Sequence, residues 1–367
     1  MSESSKDSRF AASGQSLQEA PRQSQLLAES PFLKACRKEK TAYTPIWLMR
    51  QAGRYMKEFR EIRSKVGFLE LCKNPALAAE VTVHAQETLG VDAAIIFADI
   101  LLPLDAFNVG LEFVKGEGPQ IARPLRTQED LAAIPELDAA DALSYVLEAI
   151  KMTRSSLKAD IPLIGFAAAP FTLASYLIEG GSSRNYENTK TMFYSRPELW
   201  QALMKKLVSF SIDYLNAQVD AGAQALQIFD SWVGCLSPQD YKEFVLPYSK
   251  SLIKGLKAGV PVIHFGTGSA TLLPLMKEAG ADVLGLDWRV DFASSRESLQ
   301  DIAVQGNLDP CVLLAEPEFI KKRTLEIMRA AKGKAGHIFN LGHGILPPTN
   351  PDNVKYLVEI VHNYKED

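Results

Sequence analysis

The feature that most constrains this chain is an alternation that repeats from residue 46 onward. A short apolar run ends at a polar residue or glycine, and a longer stretch of helical character follows. The runs are 46–49, 93–98, 163–167, 225–229, 260–265, 283–286, 303–306 and 337–341. Most are aliphatic or aromatic and nearly continuous in apolar character, the pattern of parallel strands buried on both faces. The stretches between them are amphipathic. Over 197–221, Leu199, Leu203, Leu207, Phe210, Tyr214 and Leu215 recur at helical spacing, while Lys205, Lys206 and Asp213 face away.

Strands alternating with helices in this way predict an α/β fold: a single (β/α)8 TIM barrel with its active-site cleft at the C-terminal ends of the strands. A doubly wound open sheet competes with it, but no GxGxxG follows an early strand. No solenoid repeat and no Pro-rich linker divides the chain. One domain over 31–367 is therefore expected. Residues 1–30, rich in Ser and Gln with mixed charges, read as a disordered tail without the apolar stretch of a secretory signal.

The net charge of −4 argues against nucleic acid as a partner, since a binder of that kind shows a basic stripe. It leaves room for an anionic small molecule, because a few arginines in a cleft focus positive potential locally. The four cysteines are scattered and form no CxxC, as expected for reduced thiols in a cytoplasmic protein. No apolar run approaches a membrane span of roughly 18 residues.

Polar residues gather where the runs end. Met49-Arg50-Gln51-Ala52-Gly53-Arg54-Tyr55 follows the first run directly and sets two arginines around a small turn. Each guanidinium carries a planar fork of donors suited to a carboxylate, so the pair suggests a polyanion pocket. The same spacing also fits surface arginines paired with acids such as Glu58. Asp99 closes the second run, either as a helix N-cap or as a carboxylate at the floor of an apolar cavity. Tyr176 follows the third run and serves equally as a core aromatic. Ser231, Asp287, Asn307 and Asp309 end later runs, the last three with ready roles in caps and turns. His343, between two glycines, has little to pack against.

Metal chemistry finds no support, because no histidine sits in an HxxxH or HxC arrangement and no cysteine lies within five residues of one. There is also no GxxxxGK[ST] loop and no GxSxG elbow.

At this point the chain resembles the uroporphyrinogen decarboxylase family. PIWLMRQAGR (45–54) is similar to that family's first signature, and GFAAAPFTLASYLIEGGSS (165–183) to its second. IIFADIL (95–101), QGNLDP (305–310) and NLGHG (340–344) support the likeness, which runs from about residue 31 to the C-terminus. Two departures stand out: Lys57 where the family usually has proline, and Phe171 where tryptophan is common.

The resemblance implies an enzyme that converts uroporphyrinogen III to coproporphyrinogen III, a carboxy-lyase of heme biosynthesis. It implies a (β/α)8 barrel, a homodimer, and no metal or organic cofactor. Losing carbon dioxide requires an electron sink, and a protonated pyrrole of the substrate supplies one. By resemblance Asp99 accepts hydrogen bonds from the pyrrole N–H groups and stabilises the cation that develops. Arg50 is expected to bind carboxylate and assist proton delivery. Gln51, Ala52, Gly53 and Arg54 complete the turn that contacts substrate, with Ala52 and Gly53 small enough for a ligand lying near the backbone. Tyr176, Ser231 and His343 are expected to orient the arms, and Ile95 and Phe229 to wall off water.

Two other readings compete. A methyltransferase of the same barrel superfamily would carry a zinc-bound thiolate with an HxC, whereas His264 is followed by Phe265 and Gly266. A non-catalytic tetrapyrrole-binding protein would have no need of the full set Arg50, Asp99, Tyr176, Ser231 and His343.

Overall fold

The structure is a computed structural model, and it describes residues 19–114 and 116–365. Its strands are β1 Ala94–Ile95, β2 Leu111–Val114, β3 Gly118–Ile121, β4 Leu163–Ala168, β5 Ala225–Asp230, β6 Val262–Gly266, β7 Val283–Gly285, β8 Ala303–Gln305 and β9 His337–Ile338. Seven of them form one sheet in the order β1-β4-β5-β6-β7-β8-β9, each parallel to its neighbour. Helices connect successive strands, so each strand lies beside the next one in the sheet along the chain. Side chains on both faces of β4 are buried, as the continuous apolar run required.

The sheet curls strongly. Gln305 of β8 donates from Nε2 to Oε1 of Gln227 of β5 at 3.0 Å. Those strands are three steps apart, about 14 Å in a flat sheet, so only a rolled sheet brings the two side chains together. Trp47 Nε1 donates to Gln305 Oε1 at 2.8 Å, which extends this chain of contacts across the interior.

The first run, 46–49, forms no ladder strand. It makes a single parallel bridge, Ile46 to Phe339. Phe339 N donates to Pro45 O at 2.8 Å, and Trp47 N donates to Phe339 O at 3.3 Å. On its other side, Asp92 N donates to Ile46 O at 2.8 Å, and the Asp92 carboxylate accepts from Ile46 N at 2.7 Å. The same carboxylate accepts from Tyr43 Oη and pairs with His362 Nε2, both at 2.8 Å. Ile46, Leu48 and Phe339 are wholly buried in a second core cluster with Val81, Leu89, Val354, Leu357 and Val361. Helices Pro75–Leu89 and Pro351–Asn363 therefore cover this seam. Each such side chain contributes on the order of 2 kcal/mol by leaving water.

The helix expected over 197–221 spans Pro197–Ala221. Pro197 opens it at a position where a missing N–H costs nothing, and Gly222, at φ 118°, ends it. One element lay outside the expectations, and part of the expected tail is ordered. The antiparallel hairpin β2–β3 was not foreseen, because Gly118, Pro119 and Gln120 carry no strand pattern. The expected tail to residue 30 is helical over Glu19–Ala28, where Leu27 packs on the core and Arg37 Nη2 donates to Ala28 O at 2.8 Å. The remainder of that tail, 1–18, lies outside the described residues. Among the described residues no helix is long and apolar enough to cross a membrane.

Candidate active site

The arginine turn is held from behind. Met49 N donates to Asn340 Oδ1 at 3.2 Å, and Ile345 N donates to Met49 O at 2.9 Å, tying it to the loop after β9. Gln51 is wholly buried. Its Oε1 accepts from Leu48 N and its Nε2 donates to Ala93 O, both at 3.3 Å. Its own carbonyl accepts from Tyr55 Oη at 2.6 Å. The Gln51 side chain is thus a peg that fixes the turn. A Cβ at Gly53 would approach Arg50 O to 3.0 Å, so the small residue there relieves crowding within the turn itself. Ala52 is half-buried.

Arg50 sits in the left-handed region at φ 63° and is exposed, as is Arg54. Among the described residues neither guanidinium forms an ion pair, and Glu58 faces His84 at 3.4 Å instead. The surface-pair reading of these arginines is thereby set aside. The carbon stem of Arg50 lies against Gly344, where an added Cβ would come within 2.4 Å of Arg50 Cδ. Lys57, one of the two departures, is the first residue of helix Lys57–Arg63, a position that also accepts proline. Phe171, the other, is a wholly buried core residue edge-on to Trp200.

Asp99 lies just beyond β1 and is partly open to the cleft. Its Oδ1 accepts from Leu101 N at 2.9 Å in a local turn, and the helix that follows, Leu102–Ala106, is capped by Leu101, so the N-cap reading of Asp99 does not hold. Among the described residues Oδ2 has no hydrogen-bond donor. The packing around the carboxyl pushes its pKa up to about 6, against the downward pull of the Leu101 amide and the Arg50 charge. Burial and the Asp99 charge together push the Tyr176 phenol up to about 12, opposed by a hydrogen bond with Trp232 and by Arg50. Asp99, Arg50 and Tyr176 therefore share one electrostatic neighbourhood. Ile95 is buried near the end of β1, and Phe229 on β5 stands edge-on to Phe166 and Phe265.

Tyr176 projects from helix Pro170–Glu179, which starts directly after β4. Its ring meets Trp232 edge-on at 5.6 Å. Ser231 is half-buried at the end of β5, and its carbonyl accepts from the Thr267 hydroxyl. Beside Ser231 lies Asp230, which closes the same apolar run and to which the sequence assigns no role. Wholly buried Asp230 accepts from Thr172 Oγ1 at 3.0 Å and faces buried His264 Nε2 at 3.4 Å. Its signal in the sequence is that of Asp99, a carboxylate closing an apolar run.

His343 is half-buried, with Trp288 edge-on at 5.8 Å. Burial first, then the charges of Arg50 and Arg289, push its imidazole down to about 4, opposed by Asp287. It is neutral near pH 7. The loop carrying His343 packs tightly on the loop after β7: a Cβ at Gly342 would lie 2.1 Å from Trp288 N. In that second loop, buried Asp287 accepts from the amides of Gly268 and Arg289 and from Arg289 Nη1 at 3.0 Å. Asn307 Nδ2 donates to the carbonyls of Asp287 and Val290, both at 2.8 Å, and Asp309 accepts from Cys311 N at 2.8 Å. The turn and cap roles expected of Asp287, Asn307 and Asp309 are the ones the structure shows.

The structure thus gathers the loops after β1, β4, β5, β7 and β9 and the arginine turn at one end of the curled sheet. Known proteins show the same sequence pattern. The family profile described as uroporphyrinogen decarboxylase (URO-D) matches residues 27–364. The uroporphyrinogen decarboxylase of Carboxydothermus hydrogenoformans is 53% identical over 333 residues, covering 90% of this chain and 95% of that protein. That of Koribacter versatilis is 52% identical over 340 residues, covering 91% and 96%. Among solved structures, a methyltransferase from Methanosarcina mazei shares the fold, with a TM-score of 0.77 over 91% of this chain and 97% of that one at 22% identity. With the profile spanning most of its length and half of its aligned residues identical to these relatives, the chain belongs to the uroporphyrinogen decarboxylase family.

Proposed function

We propose that this chain removes carbon dioxide from the four acetate arms of uroporphyrinogen III in turn, leaving methyl groups and releasing coproporphyrinogen III. The observation that supports it most is Asp99: a half-buried carboxylate at the end of β1, with one oxygen unengaged among the described residues and the Arg50 charge acting on it. Each round begins when a proton adds to a pyrrole carbon beside the arm and makes the ring a cation. The bond to the carboxylate carbon then breaks, its electron pair flows into the ring, and carbon dioxide leaves. A proton added to the exocyclic carbon makes the methyl, and the ring carbon returns its own. Net consumption is one proton per round.

In this reading Asp99 accepts from the pyrrole N–H groups and stabilises the ring cation, an effect strengthened where water is excluded. Arg50 and Arg54 hold carboxylates, and Arg50 assists delivery of the proton. Tyr176, Ser231 and neutral His343 orient the arms through hydrogen bonds. Anaerobic incubation with uroporphyrinogen should release carbon dioxide and accumulate coproporphyrinogen. Protein that binds the tetrapyrrole and releases none would be a carrier. Arg50→Lys should cripple turnover, and near-normal rates would remove Arg50 from the proton step.

The seam contacts of 46–49 with Phe339 and Asp92 support this run as the eighth stave of a closed (β/α)8 barrel. A homodimer acting in the cytoplasm belongs to the same proposal, on family membership. A sedimentation profile at the mass of one chain would withdraw the dimer.

A further inference from the structure

Beyond the Asp99 and Arg50 pocket, a third guanidinium faces the same end of the sheet without an assigned role. Arg289 follows β7, and its guanidinium carbon lies 3.8 Å from the centre of the Trp288 ring. Its side chain is 55% exposed, while the Asp287 carboxylate it touches is wholly buried. Asp287 does not depend on this contact, because two backbone amides already donate to it. Arg289 has donors to spare: a guanidinium carries five N–H groups, and one is engaged here. Stacking on Trp288 and the bond to Asp287 hold the fork in one orientation, so little freedom remains to be lost when an anion binds. Trp288 in turn stands edge-on to His343, and the stem of Arg50 lies against Gly344, the next residue along that loop. Two cations thus border the loop that carries a neutral imidazole, an arrangement that favours an anion beside it.

We propose that Arg289 is a further carboxylate anchor of the cleft, and that it grips a propionate arm of the substrate. This rests on the decarboxylase reading above. Propionate is favoured over acetate by position. Asp99 follows β1, whereas Arg289 follows β7, four steps away along the curled sheet. An anchor away from the reacting ring serves every round only if it holds an arm that the reaction leaves intact.

The test is steady-state kinetics of Arg289→Gln and Arg289→Lys on uroporphyrinogen III and on the pentacarboxylate that retains one acetate. Lys321→Gln, on helix Pro317–Ala331, controls for net charge. Arg289→Gln should raise KM about tenfold on both substrates with kcat within about twofold, the signature of binding shared by ground and transition states. Arg289→Lys should fall between, having charge without the fork. Unchanged KM on both substrates would overturn the anchor. A KM effect that disappears on the pentacarboxylate would overturn the propionate assignment. Loss of kcat together with melting temperature would make Arg289 a structural partner of Asp287 and end the proposal. The wild-type chain run in parallel separates these results from a failure of the decarboxylase reading itself.

Discussion

Replacing Asp99 by asparagine should make the protein more stable while removing most of its activity. The carboxyl has an ordinary pKa of 3.8 and stands at about 6 in the fold, chiefly through burial. At about 1.4 kcal/mol per pH unit, holding it charged costs the native state about 3 kcal/mol at neutral pH. The sign follows from the direction. A carboxyl whose pKa is raised on folding burdens the fold above about pH 6, and the burden fades as pH falls toward the unfolded value near 4. Asparagine keeps an oxygen to accept from Leu101 N and carries no charge to desolvate. For roughly 350 ordered residues the unfolding entropy is about 0.7 kcal/mol per degree, so Asp99→Asn should melt about 4 °C higher at pH 7.5. Thermal melts of both proteins from pH 7.5 down to 4 read this directly, and the gap should close along the way. Equal or lower melting of the variant at pH 7.5, or a gap that ignores pH, would refute burial as the origin of the Asp99 environment. Wild-type turnover by the folded variant would refute its electrostatic role.

Other perturbations have equally definite outcomes. The acid limb of kcat/KM should lie near pH 6, where Asp99 takes up its proton, and Arg50→Gln should move it upward, since the Arg50 charge pulls that pKa down. His343, at about 4, cannot account for such a limb. Gly344→Ala pushes only on the flexible stem of Arg50, so it should cost less than about 1 kcal/mol in urea unfolding and yet lower kcat/KM at least about tenfold. Gly342→Ala drives a methyl into the backbone at Trp288, and should cost more than about 3 kcal/mol or prevent folding. Asp92→Ala deprives Tyr43, Ile46 and His362 of their acceptor and should cost about 3 kcal/mol in the same assay. A cost below about 1 kcal/mol would mean that the seam adds little to the closure of the sheet.

Much of this fold was written in local pattern. Runs such as 163–167 and 225–229 are apolar throughout, and no arrangement but a doubly covered parallel sheet buries them cheaply, so their order along the chain became their order in the sheet. The hairpin β2–β3 escaped because its second strand reads as turn chemistry and its pairing is set by docking on the body of the fold. At the site, Arg50 and Asp99 stood out because each ends an apolar run, and His343 because it lies between two glycines. Gln51 looked the same in sequence yet points inward, since facing direction within a tight turn is decided by partners such as Ala93 that lie far along the chain. The roles of Asp230, His264 and Arg289 were hidden for a related reason: they come from Thr172, Trp288 and His343, contacts that exist only after folding.

The bridge of Trp47, Gln305 and Gln227 across the interior has a consequence for traffic. These residues precede Arg50, Asn307 and Asp230 by two or three positions along their own segments, so the bridge fills the interior just under the polar residues at the strand ends. Were the sheet closed as proposed, a molecule reaching Asp99 would enter and leave by the loop end alone, and four rounds on one tetrapyrrole would require turning in place or repeated departure and return.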